Sequence, residues 1–338
     1  MSTMIAKLTS FSSVYIVPPK KKPIVFSSSV KILPKSNHQA TAIRGTVKRF
    51  ATAISVSASS TIASLPTLKS RLSSGEILYG LFLLSTSPTL AEIAGLAGYD
   101  FVVVDMEHGP GGISSSLPCL HALAATNAAA ILRLPDSTAM YAKKALDLGP
   151  QGIMFPNIES PSSAADAVSY CRYPPRGIRG AAHPIIRASN YGIDEGYLEN
   201  YEETLVVMVQ VETEKGMGEI GEISAVDGVD CVQMGPLDLS ASLGCLWKPG
   251  HKKVKEVLME GERKVLEGGK SYLGGFSFAY DSPEELMRRG YNMVSGGADL
   301  SMFRNACVED VARFRSRVKE DMEGEKVEQE EDEGYWSE

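Results

Sequence analysis

Short runs of hydrophobic residues alternate with amphipathic stretches from residue 79 to residue 297. Several runs, such as FVVVD at 101–105 and LVVMVQV at 205–211, are hydrophobic at consecutive positions, which is typical of parallel strands covered on both faces. The pattern predicts eight strands, at 79–84, 101–106, 129–134, 152–157, 206–211, 231–235, 272–278 and 292–297.

The segments between these strands carry hydrophobic residues at helical spacing. Helices are predicted at 89–97, 139–148, 162–171, 216–225 and 252–267. Eight strand–helix units in succession predict an α/β fold, a (β/α)8 TIM barrel. An open doubly wound sheet is the alternative, and it is less favoured because no predicted strand is followed by a GxGxxG turn.

Charge divides the chain into three unlike parts. Residues 1–75 contain eleven Lys or Arg, sixteen Ser and no acid, whereas the last twenty residues contain ten acids and two Lys. A Ser-rich, acid-free N-terminus is the composition of an organelle transit peptide, and its modest Arg content favours the chloroplast over the mitochondrion. We predict a transit peptide and linker at 1–74, a barrel domain at 75–318 and an acidic disordered tail at 319–338.

The composition also excludes several classes of protein. The part between residues 76 and 318 is acidic, which argues against nucleic-acid binding and leaves a small molecule as the expected partner. No run of 18 apolar residues occurs, so no transmembrane helix and no membrane partner are predicted. The five Cys form neither a CxxC pair nor a disulfide framework, which indicates a reducing compartment.

In a (β/α)8 barrel the chemistry lies at the C-terminal ends of the strands. The polar residues at or just after these predicted ends are Asp105, Glu107, His108, Arg133, Gln210, Glu212, Asp238 and Ser240. Taken singly, each has a purely structural interpretation, such as a buried ion-pair partner for Asp105 or an acid at a helix N-terminus for Asp238. Because all of them point toward one mouth of the barrel, we interpret them together as a site.

Glu212 and Asp238, on adjacent strands, form a predicted two-carboxylate site for a divalent cation, Mg²⁺ foremost, with Mn²⁺ or Co²⁺ as alternatives. The segment GPLDLS, which includes Gly235, resembles a helix start, and its backbone N–H groups at Leu237 and Asp238 are suited to hold a substrate carboxylate. Arg133 is expected beside that carboxylate. The combination predicts a 2-oxo acid chelated to a metal.

His108 is the candidate base, and Asp147, at the end of the helix after the third strand, is available to orient it. A Schiff-base mechanism would instead need a Lys at a strand end. No predicted strand end carries one, whereas Lys143 and Lys144 lie in a predicted helix. The sequence therefore favours the metal route.

Segments along residues 78–303 resemble the HpcH/HpaI aldolase family of metal-dependent class II aldolases. The matching segments include YPPRGIRGAA at 173–182 and GYNMVSGGADLSMF at 290–303, and the specific motifs are EHG at 107–109, QVET at 210–213 and GPLDLSASLG at 235–244. The resemblance implies a phosphoenolpyruvate/pyruvate-type barrel that is commonly a hexamer, in which the helix after Leu300 packs on a neighbouring subunit. Its implied roles are metal ligands for Glu212 and Asp238, pyruvate binding for Arg133 and Gln210, and an acid–base dyad for His108 with Asp147.

Two loops depart from the usual pattern of that family. GPGG follows His108, and the segment 180–192 carries His183 and Pro184 where small residues are more usual. The connection at 173–204, which contains the second loop, is long and is expected to lie over the active site or at a subunit contact. We expect both loops to face the aldehyde half of the substrate, which leaves that half open between a 2-keto-3-deoxy sugar acid and 4-hydroxy-2-oxoheptanedioate.

The predicted function is a divalent-metal-dependent aldolase that cleaves a 4-hydroxy-2-oxo acid to pyruvate and an aldehyde. A citryl-CoA lyase-like enzyme or another enzyme of the phosphoenolpyruvate/pyruvate type is the nearest alternative. From a different class, a non-catalytic barrel remains an alternative. The chain retains the carboxylate pair, Arg133 and His108, which argues against a non-catalytic barrel. Without selection for catalysis, random substitution would be expected to replace at least one of these residues.

Overall fold

The computed structural model describes the backbone of residues 66–335 and the side chains of residues 66–319. The predicted transit peptide therefore lies outside the described residues, except for its last nine positions. None of the helices in this part of the chain combines the length and the apolar character that a membrane span requires.

Eight parallel strands close into a barrel in which each strand pairs with the next along the chain and the last pairs with the first. The predicted barrel is confirmed, and every predicted strand is found within two residues of its expected limits. The strands are β1 (Leu78–Leu83), β2 (Phe101–Asp105), β3 (Ala129–Arg133), β4 (Gly152–Phe155), β5 (Val206–Val211), β6 (Cys231–Met234), β7 (Tyr272–Phe276) and β8 (Tyr291–Ala298).

Helices connect the strands on the outside of the barrel. The predicted helix at 216–225 is split into two short helices, and the helices after β2 and β7 have no counterpart in the prediction. The helices are α1 (Leu68–Ser73), α2 (Pro88–Ala97), α3 (Ile113–Ala124), α4 (Ala139–Asp147), α5 (Pro161–Cys171), α6 (Tyr197–Thr204), α7 (Glu214–Gly218), α8 (Ile220–Ser224), α9 (Pro236–Ser242), α10 (Lys252–Gly268), α11 (Pro283–Arg288) and α12 (Asp299–Tyr335).

Two hydrophobic layers explain the uninterrupted apolar runs. Along β2, Phe101 and Val103 point into the barrel, whereas Val102 and Val104 pack under the surrounding helices. Every residue of β2, β3, β4, β5 and β6 is buried. The core thus covers both faces of the sheet, as expected for a parallel barrel.

The folded domain begins before residue 75, where the sequence interpretation placed its start. Helix α1 buries Leu68 and Leu72 against the inner layer of the barrel, where they share a cluster with Leu78 and Phe101. The Nζ atom of Lys69 lies 3.0 Å from Oδ1 of Asp230. The inner layer is open at the N-terminal ends of the strands, and α1 covers this opening with apolar side chains.

The long connection between α5 and β5 lies at the end of the barrel opposite to the mouth. It contains two short 3₁₀ segments and α6, and Arg187 donates from Nη1 to the carbonyl oxygen of Leu148, just before β4. Of the two expected positions for this loop, the one over the active site is not found within the chain, and the one at a subunit contact stays a prediction. The reason is direction: α5 runs back from the mouth, so the chain that leaves it starts at the N-terminal ends of the strands.

Helix α12 continues to Tyr335, beyond residue 319, where the sequence interpretation placed the start of a disordered tail. Glu, Lys, Met and Gln, which dominate this segment, are good helix formers, and this propensity was outweighed in the prediction by the excess of acids. From Met302 to Lys319 every residue of α12 is exposed.

Candidate active site

The C-terminal ends of the strands enclose a cavity of about 200 Å³. Four of the predicted site residues with polar side chains line it, together with Gly235 and Leu237. The side chains and backbone of this lining belong to Phe82, Leu84, His108, Arg133, Gln210, Gln233, Met234, Gly235, Pro236, Leu237, Asp238, Phe276, Phe278 and Ala298.

Arg133, the last residue of β3, is buried and held in a fixed orientation. Its Nε donates to Oδ1 of Asp105 at 2.9 Å and its Nη2 donates to Oδ2 at 2.5 Å. Its Nη1 donates to Oε1 of Gln210 at 3.2 Å. The Asp105 carboxylate also accepts from the backbone N–H of Glu107 at 3.0 Å, which ties the turn after β2 to the same group.

Glu107 is a site residue to which the sequence analysis gave no role, although it stands within the EHG motif. Its Oε2 lies 2.9 Å from Nη1 of Arg133, an ion pair without hydrogen-bond geometry, since this buried oxygen has no hydrogen-bond partner among the described residues. Burial raises the pKa of Glu107 above its usual value, and the charges of Asp105 and Asp238 add to this effect against that of Arg133.

Glu212, directly after β5, is buried with only 5% of its surface exposed. The backbone N–H of Asn157 donates to its Oε1 at 2.9 Å, and Nε2 of Gln210 donates to its Oε2. Burial raises the pKa of Glu212 to about 7, and the nearby charges of Glu107 and Asp238 raise it further against the hydrogen bonds from Gln210 and Asn157.

A divalent cation suits this donor set. Besides burial, the charges of Glu107 and Asp238 raise the pKa of Glu212, and the charge of Asp238 raises the pKa of Glu107. A cation beside these carboxylates would relieve this repulsion. Within the described residues, no group of three His, Cys, Asp or Glu side chains has the arrangement of a complete metal site. Two protein carboxylates with substrate and solvent oxygens is the usual ligand set of Mg²⁺.

Gly235 permits the close approach of two strands. A Cβ at this position would lie 2.5 Å from Cβ of Glu212 and 2.8 Å from its Oε2, too close for any side chain. Gly235 is also the N-cap of α9, whose first turn contains Leu237 and Asp238 at the cavity. Its predicted role in the site therefore has a steric basis, since it lets Glu212 occupy the position beside α9.

His108 lies at the rim of the cavity, and its side chain is 58% exposed. The nearest acid is Glu107, whose Oε2 is 4.0 Å from Nε2 of His108. Asp105 accepts from the backbone N–H of His108 at 3.4 Å, which helps to fix the turn. His108 is thus positioned to exchange protons with a molecule in the cavity.

The predicted pairing of His108 with Asp147 does not form within this chain. Asp147 is the last residue of α4, a helix that runs back from the mouth, and its charged neighbours are Arg179, Lys143 and Lys144. Its Oδ1 is buried without a hydrogen-bond partner among the described residues, and burial raises its pKa. Any contact between Asp147 and His108 would have to join two copies of the chain.

The aromatic side chains of the cavity were not predicted. Phe82 from β1, Phe276 from β7 and Phe278 from the following turn form one wall. Gln233 on β6, in register with Gln210 on β5, was also missed. The only sequence signal for these residues was their position near predicted strand ends.

Comparison with known proteins places the barrel in a family. Residues 78–306 match the model of HpcH/HpaI aldolase/citrate lyase. The 2-keto-3-deoxy-L-rhamnonate aldolase of Escherichia coli K12 is 34% identical over 248 residues, which cover 73% of this chain and 92% of that enzyme.

Solved structures give the same result. An HpcH/HpaI aldolase/citrate lyase family protein from Burkholderia cenocepacia J2315 has a TM-score of 0.70 at 35% identity, covering 73% of this chain and 98% of its own. The HpcH/HpaI aldolase from Desulfitobacterium hafniense DCB-2 has a TM-score of 0.67 at 26% identity, covering 74% of this chain and 96% of its own.

Proposed function

The chain belongs to the HpcH/HpaI aldolase/citrate lyase family of carbon–carbon lyases, and we propose that it cleaves a 4-hydroxy-2-oxo acid to pyruvate and an aldehyde. One observation carries this proposal: a buried Arg133, fixed by Asp105, lines the same cavity as Asp238, and Gln210 links it to the buried carboxylate of Glu212. A guanidinium beside a pair of acids suits an anionic substrate that is held together with a divalent cation.

Glu212 and Asp238 would hold that cation. When bound, a divalent cation supplies Lewis-acid polarisation of the 2-oxo group and stabilises negative charge on its oxygen. The rest of the chemistry falls to the chain's own side chains.

Arg133 binds the oxygen atoms of the 2-oxo acid and stabilises the negative charge that develops on the 2-oxo oxygen when the carbon–carbon bond breaks. Because Asp105 fixes two of its nitrogens, the guanidinium does not reorient during the reaction, which is the condition for effective electrostatic stabilisation. Gln210 bridges Arg133 and Glu212 and keeps these two groups in a constant relation. The first turn of α9 adds the N–H groups of Leu237 and Asp238, which have no partner inside the helix.

His108 takes the proton of the 4-hydroxyl group. The O–H electron pair then forms the C=O bond of the aldehyde, the C3–C4 bond breaks, and its electrons pass to the enolate of pyruvate. Return of a proton to C3 gives pyruvate and balances the reaction. The exposure of His108 at the rim allows it to meet the part of the substrate that extends beyond the 2-oxo acid.

The competing Schiff-base mechanism requires an amine at the cavity. In the part of the chain with described side chains, no Lys lines the cavity, and Lys143 and Lys144 are exposed on α4. A citryl-CoA lyase-like activity remains the alternative, and it predicts cleavage of a citryl thioester and not of a hydroxy-oxo acid.

The test is pyruvate release from a panel of 4-hydroxy-2-oxo acids, with citryl-CoA as the alternative substrate. We expect pyruvate from at least one hydroxy-oxo acid, loss of the activity after treatment with a chelator, and recovery with Mg²⁺, Mn²⁺ or Co²⁺. Full activity after complete chelation would exclude the metal, and turnover of citryl-CoA alone would exclude the aldolase assignment.

We also propose that the protein is a homo-oligomer, a hexamer by its family resemblance. Helix α12 supports this, because it exposes Leu300, Phe303, Val311, Phe314 and Val318 to solvent in the single chain. Exposed apolar side chains in such a row are typical of an interaction surface.

For localisation we propose the chloroplast, with the mitochondrion as the alternative. The Ser-rich, acid-free composition of residues 1–75 supports import. Full-length protein with a fluorescent C-terminal fusion should coincide with chlorophyll, and a diffuse signal in the cytosol would contradict the proposal.

A further inference from the structure

The cavity has two chemically unlike sides. The polar side is formed by the ends of β2, β3, β5 and β6, and contains His108, Arg133, Gln210, Gln233 and Asp238. The other side is formed by β1, β7 and β8, and its cavity-lining side chains are Phe82, Leu84, Phe276, Phe278 and Ala298. A substrate held at the polar side by its 2-oxo acid must extend its remaining carbons along the apolar side or out of the mouth.

The apolar side is held together by aromatic packing. The ring of Phe276 packs on Phe82 at 5.5 Å between centroids and on Phe278 at 5.3 Å, and Phe278 stacks on Tyr280 at 5.4 Å. Phe82 also lies 5.0 Å under the guanidinium of Arg133, so the aromatic wall starts where the polar side ends.

The turn that carries Phe278 is fixed by its own hydrogen bonds. The backbone N–H of Phe278 donates to the carbonyl of Asp281 at 3.0 Å, and the N–H of Asp281 donates back at 2.9 Å. Arg289 donates to both carboxylate oxygens of Asp281 at 2.7 Å. The wall is therefore part of the folded barrel and not a mobile loop that happens to lie near the cavity.

This side offers no partner to a charged or polyhydroxylated group. Among the described residues that line the cavity, Arg133 is the one Lys or Arg, and it lies on the polar side, where the proposed function assigns it to the 2-oxo acid. A second carboxylate or a row of hydroxyls buried against Phe276 and Phe278 would lose its hydrogen bonds to water without replacement, which is unfavourable.

We propose that the aldehyde half of the substrate is apolar, an aliphatic or aromatic carbon chain without a second carboxylate and without a polyol tail. This inference rests on the proposed aldolase function and adds the class of aldehyde. It makes Phe276 and Phe278 specificity-determining residues, which recognise the carbon chain by contact and exclude polar chains by desolvation.

The first experiment uses the full chain with Mg²⁺ in the direction of synthesis. Pyruvate is offered with three aldehydes of four carbons, butanal, succinic semialdehyde and erythrose, and with benzaldehyde. We expect kcat/KM for butanal to exceed that for the two polar aldehydes by roughly 10–100-fold, the range set by one or two unpaired polar groups, and benzaldehyde to react as well. Equal or better use of erythrose or succinic semialdehyde would overturn the proposal.

A separate measurement distinguishes failure of the specificity from failure of the proposed function. Exchange of the pyruvate methyl protons for deuterium, followed by NMR without any aldehyde, reports formation of the enolate. Exchange together with a preference for polar aldehydes would overturn only the apolar assignment. Absence of exchange and of every aldol product would overturn the proposed function, and this inference with it.

The second experiment changes the wall. Phe278→Asn introduces a polar amide and Phe278→Leu is its matched apolar control. We expect Phe278→Asn to lower the ratio of kcat/KM for butanal over succinic semialdehyde by about 10-fold, and Phe278→Leu to retain a preference for butanal. Because Phe278 is half-buried, Phe276→Asn and Phe276→Leu serve as a second pair if one Phe278 variant fails to fold. An unchanged ratio in the folded Asn variants would overturn the role of the wall.

Discussion

The carboxylate of Asp105 accepts two parallel hydrogen bonds from the guanidinium of Arg133, from Nε to Oδ1 at 2.9 Å and from Nη2 to Oδ2 at 2.5 Å. Asp105 is fully buried and Arg133 nearly so. Nη1, the nitrogen that does not bond to Asp105, faces Gln210 and Glu107, so the orientation of the guanidinium is fixed on both edges.

Arg133→Lys should therefore damage binding of the 2-oxo acid while preserving the charge. A Lys ammonium cannot reproduce the planar two-point contact with Asp105, so the cation would no longer be held toward the cavity. We expect KM for the substrate to rise and kcat/KM to fall by about 10²–10³-fold, the loss typical of one stabilising donor. Steady-state kinetics measures the loss of substrate binding, and thermal melting measures any loss of stability separately.

Arg133→Ala is a less informative variant. It leaves Asp105 as an unpaired buried charge, which typically costs about 3–5 kcal/mol of stability, so lost activity would not separate binding from unfolding. Wild-type kcat/KM in a folded Arg133→Lys protein would remove Arg133 from the site.

His108→Ala should reduce turnover with little effect on stability. The side chain is 58% exposed, so its truncation leaves no large cavity. Loss of a general base costs about 10²–10⁴-fold in rate, and the loss should appear in kcat more than in KM. His121→Ala, in α3, is the control for general effects of removing an exposed His. A His108→Ala enzyme with normal kcat would exclude the proton transfer assigned to it.

Metal binding should weaken as the pH falls through about 7. In the metal-free protein the pKa of Glu212 is raised to about 7, and a cation binds the ionised carboxylate. Below that pH, proton and metal compete, so the apparent Kd should rise about tenfold per pH unit, whereas it should level off above it. Titration with Mn²⁺ between about pH 5.5 and 8.5 measures this. An apparent Kd that stays constant from pH 8 to pH 6 would contradict the assignment of Glu212.

Gly235→Ala should impair the carboxylate pair by steric means alone. Gly235 has φ −109°, which Ala tolerates, so the backbone itself is not strained. The new Cβ would lie 2.5 Å from Cβ of Glu212, and that side chain would have to move. We expect weaker metal binding and loss of activity, measured by titration and pyruvate release.

Gly218→Ala, at the end of α7, is the matched control, because a Cβ there meets nothing within 4 Å. It should leave metal binding unchanged and alter stability by no more than about 1 kcal/mol. If both glycine variants bound the metal like the wild type, the close approach of Glu212 to α9 would have no functional role.

Most strands of the barrel could be predicted from the sequence, because a strand that is buried on both faces has hydrophobic residues at consecutive positions. The consecutive apolar residues of β2 and β5 could be read directly, whereas α3, which contains Pro118 and a run of Ser, has a weak helical pattern. Helix α1 was not predicted, because its two core residues, Leu68 and Leu72, lie in a segment whose composition is typical of a linker.

The predicted residues that the structure brings together are those whose place depends on strand ends. Contacts that depend on the direction of a helix or on the closure of the barrel could not be predicted from the sequence. Arg133, Gln210, Glu212 and Asp238 follow from their places after strands. Asp147 does not meet His108 within one chain, because the helix that carries it ends at the opposite side of the barrel. The aromatic wall forms only when β8 pairs with β1 and brings distant parts of the chain together, which no local pattern records.

The apolar row on α12 should determine the assembly state. Leu300, Phe303, Cys307, Val311, Phe314 and Val318 recur at intervals of three or four, which places them on one face of the helix. All six are exposed in the single chain, with Phe303 at 68% and Phe314 at 67%. A stable interface typically buries about 1,200–2,000 Å², and a row of this length on each subunit can contribute a large part of that area.

Phe314→Asp places a charge in the middle of this row and should lower the mass of the assembly, measured by light scattering after size exclusion. Ser316→Asp adds the same charge at an exposed position off the row and should leave the mass unchanged. Both variants change the net charge equally, but only Phe314→Asp would bury an unpaired carboxylate in the proposed interface. A wild-type protein that runs as a monomer, or a Phe314→Asp protein with the wild-type mass, would show that α12 does not mediate assembly through this face.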